Sequence, residues 1–129
     1  MKQLLLICAV VMGQSVLAAD KKPLTKEESA KVIEAAIRKA AKKPTGELTK
    51  VDYEKVTFLS LSNKQLTSVK GLEKLTQLKT LTLARNELTD VKGLEKLTQL
   101  TGLYLSDNQL TDVKGLEKLT QLTGLNLIN

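Results

Sequence analysis

The stretch that decides the fold repeats itself every 22 residues. Residues 59–80 read LSLSNKQLTSVKGLEKLTQLKT, residues 81–102 read LTLARNELTDVKGLEKLTQLTG, and residues 103–124 read LYLSDNQLTDVKGLEKLTQLTG. A fourth unit begins with LNLIN at residues 125–129. A repeat of this length is typical of solenoids, in which each unit packs only on its neighbours. The sequence therefore predicts a stacked array of α/β units, an α/β repeat solenoid.

Within each unit, the spacing of the leucines predicts one short strand. Leu81 and Leu83 alternate with Thr82 and Ala84, which places the leucines on one strand face and leaves the other face to solvent. Stacking the units would join the strands in a parallel sheet and bury one continuous row of side chains. That row is predicted to consist of Leu61, Leu83, Leu105 and Leu127.

The rest of each unit is predicted to turn back towards the start of the next strand. Val91, Leu94 and Leu97 recur at helical spacing and are expected to close the opposite wall of the core in a short 3₁₀-like turn. Gly93 is expected at the tight bend before this turn. The adjacent Lys and Glu columns are expected to form a solvated face with no binding role.

Asn86 and Asn108 follow their strands and are predicted to form a structural asparagine ladder. At this position an amide side chain can bond backbone groups of its own and of neighbouring units. Ligand binding by these asparagines is less favoured, because the repeat register turns them inward. Lys64 occupies the equivalent position in the first unit and Asn63 precedes it, so the ladder is predicted to be broken there.

Residues 19–58 are predicted to form a helical cap on the open end of the leucine core. Thr25 and Glu28 have the spacing of a capping box. Residues 44–46 (PTG) end this helix, and a second short helix is expected after Thr49. A basic amphipathic helix could instead bind a membrane surface, but the stripe lacks Trp and Phe anchors, which favours the cap. The predicted apolar stripe consists of Val32, Ile33, Ala36, Ile37 and Ala40.

The repeats and the cap resemble a known family. The pattern L-x-x-L-x-L-x-x-N-x-L, read from residue 78, is the leucine-rich repeat signature. Residues 32–61, VIEAAIRKAAKKPTGELTKVDYEKVTFLSL, resemble the N-terminal helical cap of bacterial internalin-like leucine-rich repeat proteins, and TDVKGLEKLTQL resembles their 22-residue units. The resemblance implies a right-handed parallel solenoid, a secreted or envelope location, and partner binding through a concave sheet.

The first 18 residues have the three-part pattern of a secretory signal peptide. The basic Lys2 precedes an apolar run over residues 4–12, and cleavage is expected after Ala18. An uncleaved anchor is the alternative, but this run is shorter than the ~20 apolar residues that a membrane span needs. The mature chain is therefore predicted to be periplasmic, displayed on the cell surface or secreted, with no membrane span. The single cysteine, Cys8, would leave with the signal.

The composition excludes several classes of active site. The 129 residues contain no His and one Cys, so a Ser-His-Asp triad, a His-containing zinc site and an intramolecular disulfide are impossible. Neither an enzyme nor a cofactor is expected. The formal net charge of +6 is spread along the chain and aromatic residues are scarce, so a nucleic-acid partner is not expected either.

The second and third units differ at four positions, which point to a binding surface. The pairs are Thr82/Tyr104, Ala84/Ser106, Arg85/Asp107 and Glu87/Gln109. The first three lie on the solvent side or the exit of the strand, whereas the return segments are identical. This distribution favours a diversified concave face over neutral drift. The predicted partner-binding residues are Phe58, Ser60, Ser62, Thr80, Thr82, Arg85, Tyr104, Ser106, Asp107 and Asn126.

Three functions follow from these patterns. A secreted or envelope-associated module that binds a protein or peptide through its concave face is favoured, with a glycan as a further possible ligand. The alternative is a module that self-associates end to end through residues 119–129, or a truncated relic of a longer leucine-rich repeat protein. An enzyme is least favoured, because only carboxylates could supply acid and base. Those carboxylates are Glu87, Asp90, Asp107 and Asp112, which are expected to form a solvated rim.

Overall fold

The structure is a computed structural model that describes residues 22–128. The predicted signal peptide, residues 1–18, lies outside the described residues. Within residues 22–128 the chain forms two helices, followed by four short strands that alternate with three 3₁₀ turns. No helix in this part of the chain combines the length and the apolar character needed to cross a membrane.

The first helix, α1, spans Lys26–Ala41, and capping residues fix both of its ends. Thr25 Oγ1 accepts a hydrogen bond from the Glu28 N–H at 3.1 Å, and Glu28 Oε2 accepts one from the Thr25 N–H at 2.8 Å. This capping box gives partners to two backbone N–H groups at the helix start. At the other end, Lys42 adopts the left-handed conformation with φ 58°, which stops the helix.

The buried face of α1 differs from the predicted stripe. The buried residues are four apart: Ser29, Ile33, Ile37 and Ala41. Ala40 was predicted within the stripe and is exposed instead. The helix packs along one row of i, i+4 residues, and Ala40 lies outside this row, about 60° from Ile37 and about 100° from Ala41 on the helix circumference.

The second helix, α2, spans Lys50–Glu54 and is organised by one buried carboxylate. Asp52 Oδ2 accepts hydrogen bonds from Lys43 Nζ at 2.8 Å, the Thr49 N–H at 2.8 Å and the Thr49 hydroxyl at 2.9 Å. The Lys43 ammonium and the Thr49 N–H hold the pKa of the Asp52 carboxyl well below its ordinary range. These bonds tie α2 to the segment that follows α1.

The four strands form one parallel sheet in chain order. The strands are β1, Phe58–Ser60; β2, Thr80–Thr82; β3, Gly102–Tyr104; and β4, Gly124–Asn126. The central leucines of neighbouring strands are paired with each other, so each residue of β1, β2 and β3 pairs with the residue 22 positions later in the sequence. This arrangement confirms the parallel array predicted from the repeats.

The returns close the other side of the core, as predicted. The 3₁₀ turns span Leu72–Lys74, Leu94–Lys96 and Leu116–Lys118. Gly93 precedes the second turn with φ 106°, a conformation that is open to glycine and strained for other residues. The leucine row that begins at Leu61 is fully buried through Leu83 and Leu105, whereas Leu127 is 36% exposed.

The cap joins the first repeat through hydrogen bonds as well as apolar contacts. The Thr67 N–H donates to Ser29 Oγ at 3.1 Å, and the Thr67 hydroxyl donates to the Leu24 carbonyl at 2.7 Å. In the array itself, the equivalent Thr111 N–H donates to the carbonyl of Thr89. Ser29, which is fully buried on α1, therefore supplies the acceptor that a preceding repeat would otherwise provide.

Candidate functional site

The solvent side of the sheet carries two rows of side chains, which together are called the strand face. The first row consists of Phe58, Thr80, Gly102 and Gly124. The second row consists of Ser60, Thr82, Tyr104 and Asn126. None of these eight positions is charged, although 26% of the residues in the chain are. The strand face is therefore neutral in an otherwise highly charged protein.

Two aromatic side chains are the largest features of the strand face. Phe58, on the strand next to the cap, is 59% exposed. Tyr104 is 39% exposed, and its ring lies over the two glycines of the first row. A Cβ added to Gly102 would come within 3.3 Å of Tyr104 Cε2, and one added to Gly124 within 3.3 Å of Tyr104 Oη.

Gly102 and Gly124 thus belong to the strand face, and the predicted set of partner-binding residues did not include them. Both occupy the first-row position that Thr80 fills in β2. The missing side chains create the shallow space that the Tyr104 ring covers. In the sequence these two positions differ from the equivalent position of β2 only by Gly in place of Thr80. This difference points to the strand face only when the structure shows that the Tyr104 ring lies over the two glycines.

Two of the predicted residues at the strand exits, Arg85 and Asp107, lie close to each other. Arg85 and Asp107 both adopt left-handed conformations, with φ of 58° and 57°, and both are exposed. Arg85 Nε lies 3.6 Å from Asp107 Oδ2, so the two charges partly neutralise each other. Ser62 and Ser106 are half-buried, and Asn126 Oδ1 accepts a hydrogen bond from the Ile128 N–H at 3.0 Å.

Asn86 and Asn108 lie inside the bends and not on the strand face. Asn86 Oδ1 accepts from the N–H groups of Lys64 and Leu66, each at 3.0 Å. Its Nδ2 donates to the carbonyls of Leu61 and Leu83 at 2.9 and 2.8 Å. Each asparagine therefore bonds backbone groups of its own repeat and of the repeat before it. This explains Lys64 at the equivalent position of the first repeat, because no earlier repeat precedes it.

The acidic columns of the return segments have a structural role that the sequence did not reveal. The Gly71, Gly93 and Gly115 N–H groups each donate to the carboxylate of the Glu two residues later, at 2.8 Å. For Glu95 and Glu117, hydrogen bonds from backbone N–H groups lower the carboxyl pKa. These glutamates are half-buried or exposed and the neighbouring lysines are exposed, so the glutamates of this face also hold the backbone before each turn.

The remaining predicted acidic neighbours are also engaged. Asp90 and Asp112 accept hydrogen bonds from the N–H groups two residues later, at 3.0 and 2.8 Å. Glu87 accepts one from the side chain of Gln109. In residues 22–128 no group of three or more His, Cys, Asp or Glu residues is placed to hold a metal ion. These carboxylates organise turns and side-chain pairs.

A groove of about 380 Å³ separates α1 from the first 3₁₀ turn. Ile33, Ile37 and Leu48 contribute apolar lining, and Tyr53 lies at one side with Lys74 Nζ 5.5 Å from its ring centre. Part of this groove is the junction between the cap and the first repeat, so the packing of these two parts accounts for it.

Comparison with known proteins agrees with the architecture. A family model described as leucine-rich repeats in two copies matches residues 54–96 and 98–129, more than half of the chain. Comparison with curated protein sequences gives no match. The fold is similar to an internalin (inlF) from Listeria monocytogenes, with 34% identity, a TM-score of 0.70, and coverage of 74% of this chain and 29% of that one.

An internalin C2 (inlC2) from the same organism is similar at 31% identity with a TM-score of 0.71. The alignment covers 75% of this chain and 44% of that one. The chain thus spans less than half the length of either internalin. The repeated units and the parallel sheet agree with these matches. The chain belongs to the leucine-rich repeat family and is an internalin-like member of it.

Proposed function

We propose that the chain is an exported interaction module that binds a protein or peptide partner through its strand face. The observation that carries this proposal is the composition of that face. Phe58 and Tyr104 are exposed on it, and none of its eight positions is charged. Exposed aromatic side chains on a rigid, neutral surface are typical of binding sites, since Tyr is enriched among interface hot spots and charge is depleted in interface centres.

The sequence differences between repeats support the same surface. Residues 92–99 and 114–121 are identical, whereas Thr82 and Tyr104 differ at equivalent positions of the strand face. Four short strands offer at most about 800 Å² on one side, the size of a standard interface partner. Binding through a surface this small is expected to be weak unless several copies act together.

The proposed location outside the cytosol rests on two observations. Residues 1–18 have the signal-peptide pattern, and the matched solved structures are internalins of a bacterium. Mass spectrometry of the protein recovered from culture medium and from the envelope tests this: a mature N-terminus at residue 19 is the expected result. Recovery of only the uncleaved chain from the cytosol would contradict it.

The strand face is tested by replacing Tyr104 with a photo-crosslinking amino acid and identifying the captured molecule. The same crosslinker in place of Lys96, on the return side, is the matched control. Capture from position 104 alone is expected, and protease digestion of the product distinguishes a protein partner from a glycan.

Once the partner is identified, Tyr104→Ala is expected to weaken binding at least about tenfold and Arg85→Ala to weaken it less. Lys96→Ala should leave the affinity unchanged. A larger effect of Lys96→Ala would contradict the proposal.

Self-association of the 129-residue chain is a second candidate. Leu125 in β4 is 48% exposed and Ile128, which follows β4, is 73% exposed, whereas Leu103, the equivalent of Leu125, is fully buried. Exposed apolar side chains beside an unpaired strand edge favour pairing with another copy. Analytical ultracentrifugation over a range of concentrations should then show a dimer that Leu125→Lys abolishes. A monomer at all concentrations would exclude this candidate.

A further inference from the structure

The first row of the strand face places two aromatic rings in line across the strands. Phe58 occupies this row on β1, and Thr80 follows on β2. Tyr104 belongs to the second row, but its ring lies above Gly102 and Gly124 in the first row. The row therefore reads aromatic ring, threonine, aromatic ring, with the second ring covering β3 and reaching towards β4.

The spacing of β1 and β3, the strands that carry the two aromatic residues, follows from the geometry of the sheet. Neighbouring parallel strands are about 4.8 Å apart, so β1 and β3 lie roughly 10 Å from each other. A polyproline II helix has three residues per turn and a rise of about 3.1 Å per residue, which gives a turn of roughly 9 Å. Prolines at every third position would therefore meet the two rings in succession.

The polar groups of the strand face also suit such a ligand. A polyproline II backbone makes no internal hydrogen bonds, so its carbonyls need donors from solvent or from the binding surface. Ser60, exposed on β1, and Thr80 and Thr82 on β2 place hydroxyl donors beside the two rings. The absence of charged residues from the face removes any selection for a charged peptide.

Other peptide conformations fit the strand face less well. An added β-strand would need a free sheet edge, and the strand face offers side chains in place of unpaired backbone groups. An amphipathic helix would need a continuous apolar groove for anchors at i, i+3, i+4 and i+7. Thr80 interrupts the apolar surface between the two rings. Aromatic-lined surfaces with separated rings are the usual receptors for polyproline II segments.

We infer that the strand face binds an uncharged, proline-rich segment of a protein partner, which crosses the strands along the first row and packs one proline on Phe58 and another on Tyr104. This inference rests on the proposed function, because it assumes that the strand face is the binding surface. Gly102 and Gly124 act as positioning residues, since they leave the space in which the Tyr104 ring lies.

The test is an NMR titration of the full chain with a capped, uncharged peptide of about 12 residues that carries proline at every third position. Two control peptides have the same composition with irregular proline spacing, or alanine in place of proline. The chain contains one Phe, two Tyr and no Trp, so the ring signals are easily assigned. The regular peptide should shift the ring signals of Phe58 and Tyr104, whereas those of Tyr53, which lies on α2 of the cap beside Lys74 of the first 3₁₀ turn, should not move.

Variants of the chain sharpen the test. Phe58→Ala and Tyr104→Ala should each weaken binding of the regular peptide at least about tenfold. Gly102→Val should weaken it too while keeping both rings, because its side chain would displace the Tyr104 ring. Tyr53→Phe is the matched aromatic control and should bind normally. Raising the salt concentration from about 50 to 500 mM should change the affinity less than about twofold, since no charge pair contributes.

Two outcomes would overturn the inference in distinguishable ways. Equal binding of the regular and irregular peptides, or no shift of either ring, would exclude the proline-spacing mechanism. If photo-crosslinking from position 104 still captures a partner, the proposed function stands and only the ligand class is wrong. If neither the peptide nor any captured partner depends on Tyr104, both proposals fail.

Discussion

Asn86 connects two repeats through one side chain, and its burial makes it the strongest test of the ladder. The side chain is 5% exposed and bonds Lys64, Leu66, Leu61 and Leu83 through their backbone groups. Alanine at this position would leave these groups without partners inside the bend. Unsatisfied buried polar groups cost more than the hydrogen bond itself contributes.

Asn86→Ala is therefore expected to lower the free energy of unfolding by about 1–3 kcal/mol, measured by chemical denaturation at neutral pH. Lys64→Ala is the matched control, because Lys64 holds the equivalent position and is exposed, and it should change stability by less than about 0.5 kcal/mol. Asn63 is a poorer control, since its φ of 59° favours Asn over Ala. Equal effects at residues 86 and 64 would contradict a stabilising role of the ladder.

At the scale of elements, short turns and helix ends are held by carboxylates that accept backbone hydrogen bonds. Glu95 holds the Gly93 N–H before the second 3₁₀ turn, and Asp52 caps α2. Each of these bonds favours the ionised carboxyl, so the pKa of each group is lowered in the folded chain. Stability from such groups is present above the unfolded pKa and is lost as the pH falls through the folded pKa.

Asp52→Asn is expected to be less stable than the native chain at about pH 7, because the ion pair with Lys43 is lost. The difference in the free energy of unfolding between the two chains should narrow as the pH falls from about 5 towards 2. In this range Asp52 takes up a proton when the native chain unfolds, which favours unfolding of the native chain. Thermal unfolding followed by circular dichroism at several pH values measures this. The native chain should also lose stability in this window, since the pKa of Glu28 is lowered as well. A difference that stays constant with pH would contradict the charge-based explanation.

At the scale of the whole molecule, the cap and the repeats form one hydrophobic core. Ile33 on α1 is 1% exposed and belongs to the same buried cluster as the leucines of the third repeat. In a linear array the stability of each unit depends on its neighbour, so weakening the cap should also destabilise the distant repeats. The stability of β3 is therefore expected to depend on residues of α1 that it does not contact.

Ile33→Ala is expected to destabilise the chain by about 2–5 kcal/mol, through lost burial and a cavity between cap and array. Hydrogen exchange should then accelerate at the amides of β3 as well as at those of β1. Ala35→Ser, on the exposed side of the same helix, should cost no more than about 0.5 kcal/mol. Faster exchange confined to the cap would show that the array is stable without it.

The sequence by itself determined the repeat register, the parallel sheet, the 3₁₀ turns and the capped first helix. These features depend on local spacing: leucines two apart for a strand, glycine before a turn, and Thr25 three residues before Glu28. Even the buried position of Asn86 follows from its place after each strand, because every unit repeats the same local geometry.

Only the tertiary structure decided which side chains meet across different repeats. The Tyr104 ring lies on Gly102 of its own strand and on Gly124 of the next, and Arg85 pairs with Asp107 one repeat later. The burial of Ser29 against Thr67 likewise depends on how the cap docks. Such contacts depend on side-chain direction and on packing between units that are distant in the chain. Periodicity fixes the position of each residue in the array, but it does not fix the direction in which an exposed ring leans.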